Sequence, residues 1–546
     1  MRRAALLAAA FTVLAIQAPP AIAATLTDTT AARAERIALA VPKIAAVRRA
    51  HPGSYPDTKA KDATRWEVDL WSQARRGHPS QWLAQVYVDR RTRRVLEAWT
   101  GPQVAWTMAR GYPGAFGRSV NSPWLFIGLL VLFVLPFVDP RRPLQWLHAD
   151  LLALAGLGAS YAWFNDANLG LSVPVADGLL AYLLLRLLAI GLGRVQPPPL
   201  RLLVPWQWLG AGALFLVGLR VGLNMLDGNV IDVGYASVVG ADRLEHGRAI
   251  YGAFPSDVSR GDTYGPLTYL AYAPFEAIWP WHGHWDDLPA AHAAAAVFDL
   301  ACAGLAFVVG RGMGGIRLGV VLAYAWLAYP FTILATNAGT NDALPAALLL
   351  GAFAVHARPV GRGALGAAAG LAKFASLAVL PLLAAHDLGP AGGRAGRLLR
   401  FALGAALAGG LAALLVLPHT GPGTLWDRTI GYQAGRTAPF SVWGLYGGAW
   451  ETARSVMQVL AVGLAVGLPF ARRRDDLAGL AALCGAVLIA WQLTTEYWFY
   501  FYVLWALPAI LIAVLGRGGL PAASVTQQPA PAPARSRQPA AAPSSG

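Results

Sequence analysis

From residue 123 to residue 515 the chain repeats one pattern, an apolar run of about 16 to 21 residues followed by a short polar break. At 1.5 Å per residue, such runs match what a helix needs to cross a hydrocarbon layer of roughly 30 Å. Spans are predicted at 123–138, 147–164, 173–192 and 204–222, then at 288–309, 318–335 and 343–357, and last at 401–417, 452–470, 477–493 and 498–515. Residues 364–385 are long enough to cross once, but Lys373 interrupts them; two short helices meeting near it bring the count to about 13. One polar interruption is unlike the rest: residues 222–266 carry Asp227, Asp232, Tyr235, Glu245, Asp262 and Tyr264.

Ahead of the spans the pattern changes. Arg2 and Arg3, the apolar run 4–16 and Ala21-Ile22-Ala23 have the form of a signal peptide or signal anchor over residues 1–23. Residues 24–118 predict a small extracytoplasmic α+β domain: an amphipathic helix at 29–50, then period-two alternation at 66–71, 82–89 and 94–99, with Asp89 to Arg93 turning a hairpin. The Pro/Ala-rich residues 516–546 lack the apolar content to fold and read as a disordered cytoplasmic tail.

Composition agrees with the pattern. Hydrophobic residues make up 56% of the chain and charged residues 13%, with a mean hydropathy of +0.46, which excludes an ordinary soluble domain. The net charge of +15 does not indicate a nucleic-acid partner, because the arginines cluster beside spans and not on one amphipathic face. Cys302 and Cys484 both fall inside apolar runs and imply neither a disulfide framework nor a metal site.

Those arginines orient the chain in a plasma membrane. Arg141 and Arg142, Arg194 and Arg201, Arg311 and Arg317, Arg358 and Arg362, Arg394 to Arg400, and Arg472 to Arg474 all fall cytoplasmic if residues 123–201 form three spans and residues 202–515 form a core with an outer loop at 223–287. The apolar stretch 267–280, broken by Pro274 and Glu276, must then be re-entrant or lie on the outer surface. Lys373 falls at the outer leaflet. Within the spans, Asp177 and Arg186 are nine positions apart, on opposite helix faces, and cannot pair; Asp299 reads as a structural hydrogen-bonding residue.

With this orientation Arg220, Asp227, Asp232, Asp262, Tyr264, Asn341, Asp342, Lys373, Arg428, Arg436, Glu496 and Tyr497 gather at one face from separate span ends. Carboxylates that move protons and cations that hold a phosphate are what a site at a membrane surface requires. Each also has a plainer reading. Asp232, Asn341 and Asp342 are potential helix caps, Lys373 is long enough to snorkel to headgroups, and loop arginines commonly pair with neighbours.

The run Asp232-Val-Gly-Tyr235, then Leu244-Glu-His-Gly247-Arg-Ala-Ile-Tyr251-Gly252, then Tyr264-Gly265-Pro266-Leu267-Thr268-Tyr269, followed by Asn341-Asp342 opening a span and by GALGAAAGLAKFASLAVLPLL around Lys373, resembles the GT-C superfamily of polytopic glycosyltransferases, in its bacterial polyprenyl-phosphate-sugar-dependent branch. The resemblance covers residues 204–515. More faintly, the helix followed by VYVDRRTRRVLEAWTG resembles a PepSY-like module, whose expected role is docking or regulation. The GT-C resemblance implies a mainly α polytopic bundle that transfers sugar from a polyprenyl-phosphate donor to a hydroxyl of a glycan, glycolipid or protein acceptor. It implies Asp232 as general base, with Asp227 or Asp262 as substitutes, Lys373 with Arg428 or Arg436 on the leaving phosphate, and Tyr264, Asn341, Asp342, Asp227, Tyr235 and Glu496 as further binding residues. Some relatives use a divalent metal, for which Asp227 and Asp232 are available carboxylates; no metal signature is present. The rival classes are a transporter or flippase of lipid-linked or polar substrates, and a non-enzymatic membrane scaffold or sensor.

Overall fold

The computed structural model describes residues 29–61, 63–73, 81–105, 110, 117–195, 200–388, 391–471, 474–516 and 546. The expected signal at 1–23, most of the expected tail, and Arg472 and Arg473 lie outside the described residues. The chain divides into two compact units, Met1–Arg110 and Gly111–Gly546.

The first unit has two helices, α1 (Ala31–Leu39) and α2 (Pro42–Ala50), and four strands, β1 (Tyr55–Ala60), β2 (Arg65–Trp71), β3 (Trp82–Asp89) and β4 (Val95–Thr100). The single expected helix is two, since Pro42 cannot donate an N–H and the chain turns at Val41. The strands form an antiparallel meander in the order β1-β2-β3-β4. Alternation puts Val68, Leu70, Ala84, Val86 and Val88 on one face, where they bury Ala34, Ala38 and Ile44. The opposite face is polar: Asp69 takes Lys59 at 2.9 Å and Gln85 at 3.1 Å, and Arg110 donates to Gln85 at 2.8 Å. Strand β1 lacks apolar alternation and was not expected; it is recruited by pairing with β2, where Lys59 faces Glu67.

The second unit is helical. Among the described residues five helices are long and apolar enough to cross a membrane: Leu169–Gly191, Trp206–Asp227, Pro289–Ala328, Arg394–Val416 and Glu451–Phe470. Outward-facing Leu214, Phe215, Leu414 and Val459 on three of them are more than 60% exposed, as a lipid-facing surface would be. Other expected spans are shorter apolar helices, Pro123–Phe137, Ala343–Ala354, Phe374–Ala384, Leu477–Gln492 and Tyr500–Leu515. The expected 13 crossings are thus not 13 full-length helices, because prolines and the break at Lys373 divide the apolar runs.

The helix Pro289–Ala328 is a hairpin. Its dihedrals leave the helical region at Gly314 and Gly315, the latter at φ 75°, and Gly310 and Gly319 let the two arms touch along their backbones. The turn falls between Arg311 and Arg317, where the expected spans at 288–309 and 318–335 reverse direction. Asp299 on the first arm ties the hairpin together. It accepts the indole N–H of Trp326 at 2.9 Å and pairs at 2.7 Å with Arg220 of the Trp206–Asp227 helix, both side chains about 1% exposed. Asp299 is structural, as expected, and so is Arg220, which also donates to Leu327 O at 2.7 Å. Asp177 and Arg186 do not pair: Arg186 binds Asp150 at 2.9 Å, and Asp177 accepts the N–H of Val442. The stretch expected to lie flat or re-enter forms the helix Pro266–Glu276, about 16 Å long and too short to cross.

Candidate functional site

Asp232 is the first residue of the helix Asp232–Glu245, and Ile231 is its N-cap. The chain entering this helix runs beside residues 337–339, with Asn229 N–H on Asn337 O at 3.0 Å and Ile231 N–H on Ala338 O at 3.1 Å. Gly234 makes that approach possible, since a Cβ there would stand 2.1 Å from Gly339 O. The first turn, and Asp232 with it, is thereby held against the segment that leads into Asn341 and Asp342.

Asp342 occupies the N-cap position of the helix Ala343–Ala354 but makes no capping bond. Its Oδ1 instead accepts the indole N–H of Trp505 at 3.0 Å and lies 3.4 Å from Lys373 Nζ. Lys373 stands where the helix Pro359–Ala372 ends and a 3-10 turn, Phe374–Val379, begins, so two short helices do meet there. It is 8% exposed.

The Tyr264-Gly265-Pro266 motif packs onto the same break. Gly265 donates to Ala372 O at 3.0 Å, and a Cβ on it would lie 1.9 Å from Leu371 O. Thr268 also donates to Ala372 O, at 2.9 Å. This contact sets the Tyr264 ring 4.2 Å from Lys373 Nζ; the Trp505 ring lies 5.5 Å away. Tyr502 stacks on Trp505 at 4.3 Å, Tyr497 follows at 6.4 Å from Tyr502, and Arg436 lies over Tyr497 at 3.3 Å.

The result is a recess with two carboxylates, two cations and aromatic walls. Asp232 is solvent-accessible yet densely surrounded by protein, the condition of a side chain that lines a recess. That burial raises its pKa above the ordinary carboxylate value of 3.8; Arg436, the Val233 N–H and Lys373 oppose the rise, and Asp342 adds to it. A carboxylate tuned upward beside two cations is equipped to take a proton while an anion is held nearby.

The other expected residues lie in different settings. Asn341 donates to Ser237 Oγ at 2.9 Å and is fully buried. Asp227 accepts the N–H of Ser119 at 2.9 Å. Glu496 is engaged by Arg454. Arg428 grips buried Asp262 with two bonds of 2.6 Å and Ser259 O at 2.7 Å, so both side chains are committed to joining the loop 417–450 to the loop 246–265. Tyr235 donates to Asp257 at 3.1 Å, one helical turn beyond Asp232. Trp505 and Tyr502 were not expected in the recess; their three-residue spacing, one face of a helix start, was the available signal. Among the described residues no group of three or more His, Cys, Asp or Glu side chains has a metal-binding arrangement.

Comparison with family models, with curated proteins and with solved structures returns no match to this chain.

Proposed function

We propose that the chain is a membrane glycosyltransferase of GT-C type, which moves a sugar from a polyprenyl-phosphate donor to an acceptor hydroxyl at the extracytoplasmic face of a membrane it crosses many times. The observation that carries this reading is that Asp232, Lys373 and Arg436, from three distant parts of the chain, lie within electrostatic reach of one another, with Lys373 over the Tyr264 ring and Arg436 over the Tyr497 ring. Asp232 takes the proton of the acceptor hydroxyl as its oxygen attacks the anomeric carbon. The bond from that carbon to the phosphate oxygen breaks, and the phosphate leaves with its new charge facing Lys373 and Arg436. Lys373 is anchored by Asp342 and Arg436 by the Tyr497 ring, so both cations are placed before the donor arrives. Arg428, whose fork is filled by Asp262, serves the architecture of the loop that carries Arg436.

The test uses purified full-length protein and labelled polyprenyl-phosphate sugars, with release of polyprenyl phosphate as the readout. Asp232→Asn should lower turnover by roughly 10²–10⁴-fold. Lys373→Ala should weaken use of the donor; because it also leaves buried Asp342 without its counter-charge, it is compared with wild type only as folded protein, after a thermal melt. Full activity in the Asp232 variant would remove it as the base. A labelled cysteine at position 373 reachable only from the cytoplasm would overturn the membrane orientation.

A further inference from the structure

A second feature adjoins the recess and is used by none of the chemistry above. Residues 281–287 read Trp-His-Gly-His-Trp-Asp-Asp, and this loop returns to the Asp232 helix. Trp285 donates its indole N–H to Val230 O at 3.2 Å, two residues before Asp232. Its ring stacks on Tyr235 at 4.8 Å with an interplanar angle of 22°, and Tyr235 is fully buried beneath it. Trp281 meets the edge of Tyr235 at 6.1 Å and gives its own indole N–H to His284 O at 2.9 Å, while its backbone N–H binds Glu276 at 3.0 Å. Trp285 is 42% exposed. The ring is therefore locked on one side and open on the other.

Polar groups surround it. Asp257 receives the Tyr235 hydroxyl at 3.1 Å, Asp286 lies 3.6 Å from both His282 and His284, and Asp257, Asp286 and Asp287 are all exposed.

Resting on the glycosyl-transfer reading, we propose that Trp285, backed by Tyr235 and flanked by Trp281, is a binding platform for a neutral sugar ring of the acceptor. The flat, apolar C–H face of a pyranose matches an exposed indole, and its hydroxyls are donors for a rim of carboxylates. The same carboxylates disfavour an anionic ligand. Position supports an acceptor role. Trp285 is bonded to Val230, two residues before Asp232, and stacked on Tyr235, three residues after it, so the platform flanks the helix turn that carries the base. Membrane anchoring fits less well. An interfacial tryptophan directs its N–H to water or headgroups, whereas both indoles spend theirs on main-chain carbonyls, and four exposed ionisable residues accompany them in a seven-residue loop.

The experiment uses full-length protein in nanodiscs and a panel of neutral oligosaccharides (mannan, galactan, glucan and arabinan fragments), with tryptophan fluorescence and saturation-transfer NMR as readouts. At least one fragment should bind to wild type. Trp285→Ala should weaken its binding at least 10-fold, and Trp285→Phe, which keeps a ring, should retain most of it. The binding readout needs neither donor nor transfer, so its outcome is separate from that of the turnover assay of Asp232→Asn that tests the catalytic reading. The platform is overturned if no fragment binds at millimolar concentration, if Trp285→Ala binds as tightly as wild type, or if brominated lipids quench the wild-type fluorescence and that quenching is lost in Trp285→Ala, which would place the ring in the bilayer.

Discussion

One carboxylate oxygen of Asp342 serves two partners, lying 3.4 Å from Lys373 Nζ and accepting the Trp505 indole N–H at 3.0 Å. Both charged side chains are less than 10% exposed, so removing one leaves the other buried without its counter-charge. That imbalance costs about 3–5 kcal/mol. Asp342→Ala should therefore lower thermal stability in detergent strongly, and adding Lys373→Met should recover much of the loss. If Asp342→Ala unfolds as wild type does, the pair is not the buried contact described.

On the proposed reading, with Asp232 as the base, the reaction carries a pH signature. Burial raises its pKa and Arg436 is the largest opposing influence, so losing the Arg436 charge should raise it further. A general base works deprotonated, and activity falls as pH drops through its pKa. The acidic limb of kcat/KM should lie above the pH expected of a free aspartate, and in Arg436→Gln it should move to higher pH still. A limb that stays fixed in Arg436→Gln would mean that the two groups are uncoupled, or that another residue is the base.

How much of this was legible in the chain depends on what each residue answers to. Hydrophobic length and arginine placement are properties of single segments, and they located the Gly314–Gly315 reversal and the break at Lys373 in advance. Partner choice is a property of two segments. Nothing local distinguishes Arg428, which binds Asp262 some 166 residues away, from Arg436, which faces the recess. Asp227 and Glu496 were candidates because they are carboxylates at helix ends, and each is taken by a nearby donor, Ser119 N–H or Arg454. Asp342 departs the other way: its position promises a helix cap, and its side chain turns to Lys373 and Trp505.

The glycine of the Tyr264-Gly265-Pro266 motif is a steric requirement. Any side chain at position 265 begins with a Cβ placed 1.9 Å from Leu371 O and 2.5 Å from its carbonyl carbon, both backbone atoms that cannot swing away. Gly265→Ala should push the loop off the Lys373 break, carry Tyr264 with it, and cost about 1–3 kcal/mol. Activity should fall more than stability does. Gly222→Ala is the control, because a Cβ there meets nothing within 4 Å and the residue lies in a helix; it should be neutral or slightly stabilising. Equal behaviour of the two variants in a thermal melt and an activity assay would refute the steric role.

The helices ahead of the core also bear on the site. Asp177, on the Leu169–Gly191 helix, accepts the N–H of Val442 at 2.9 Å. Two residues earlier in that loop, Phe440 packs between Phe164 at 5.1 Å and Tyr497 at 5.6 Å, and Tyr497 is the ring beneath Arg436. The early helices thus hold the loop whose arginine reaches the recess, which gives them a part in the site without contact to substrate. Breaking a hydrogen bond to a charged acceptor is worth about 1.5–3 kcal/mol. On the proposed glycosyl-transfer reading, if that loss appears as misplacement of Arg436, Asp177→Ala should lower kcat/KM for the lipid-linked donor by roughly 10-fold or more, through KM and, because Arg436 faces the charge that develops on the leaving phosphate, through kcat as well. Asp177→Asn keeps an oxygen that can accept from Val442 and should restore most of the donor kcat/KM. A loss of stability in Asp177→Ala with unchanged donor kcat/KM would assign Asp177 to folding alone.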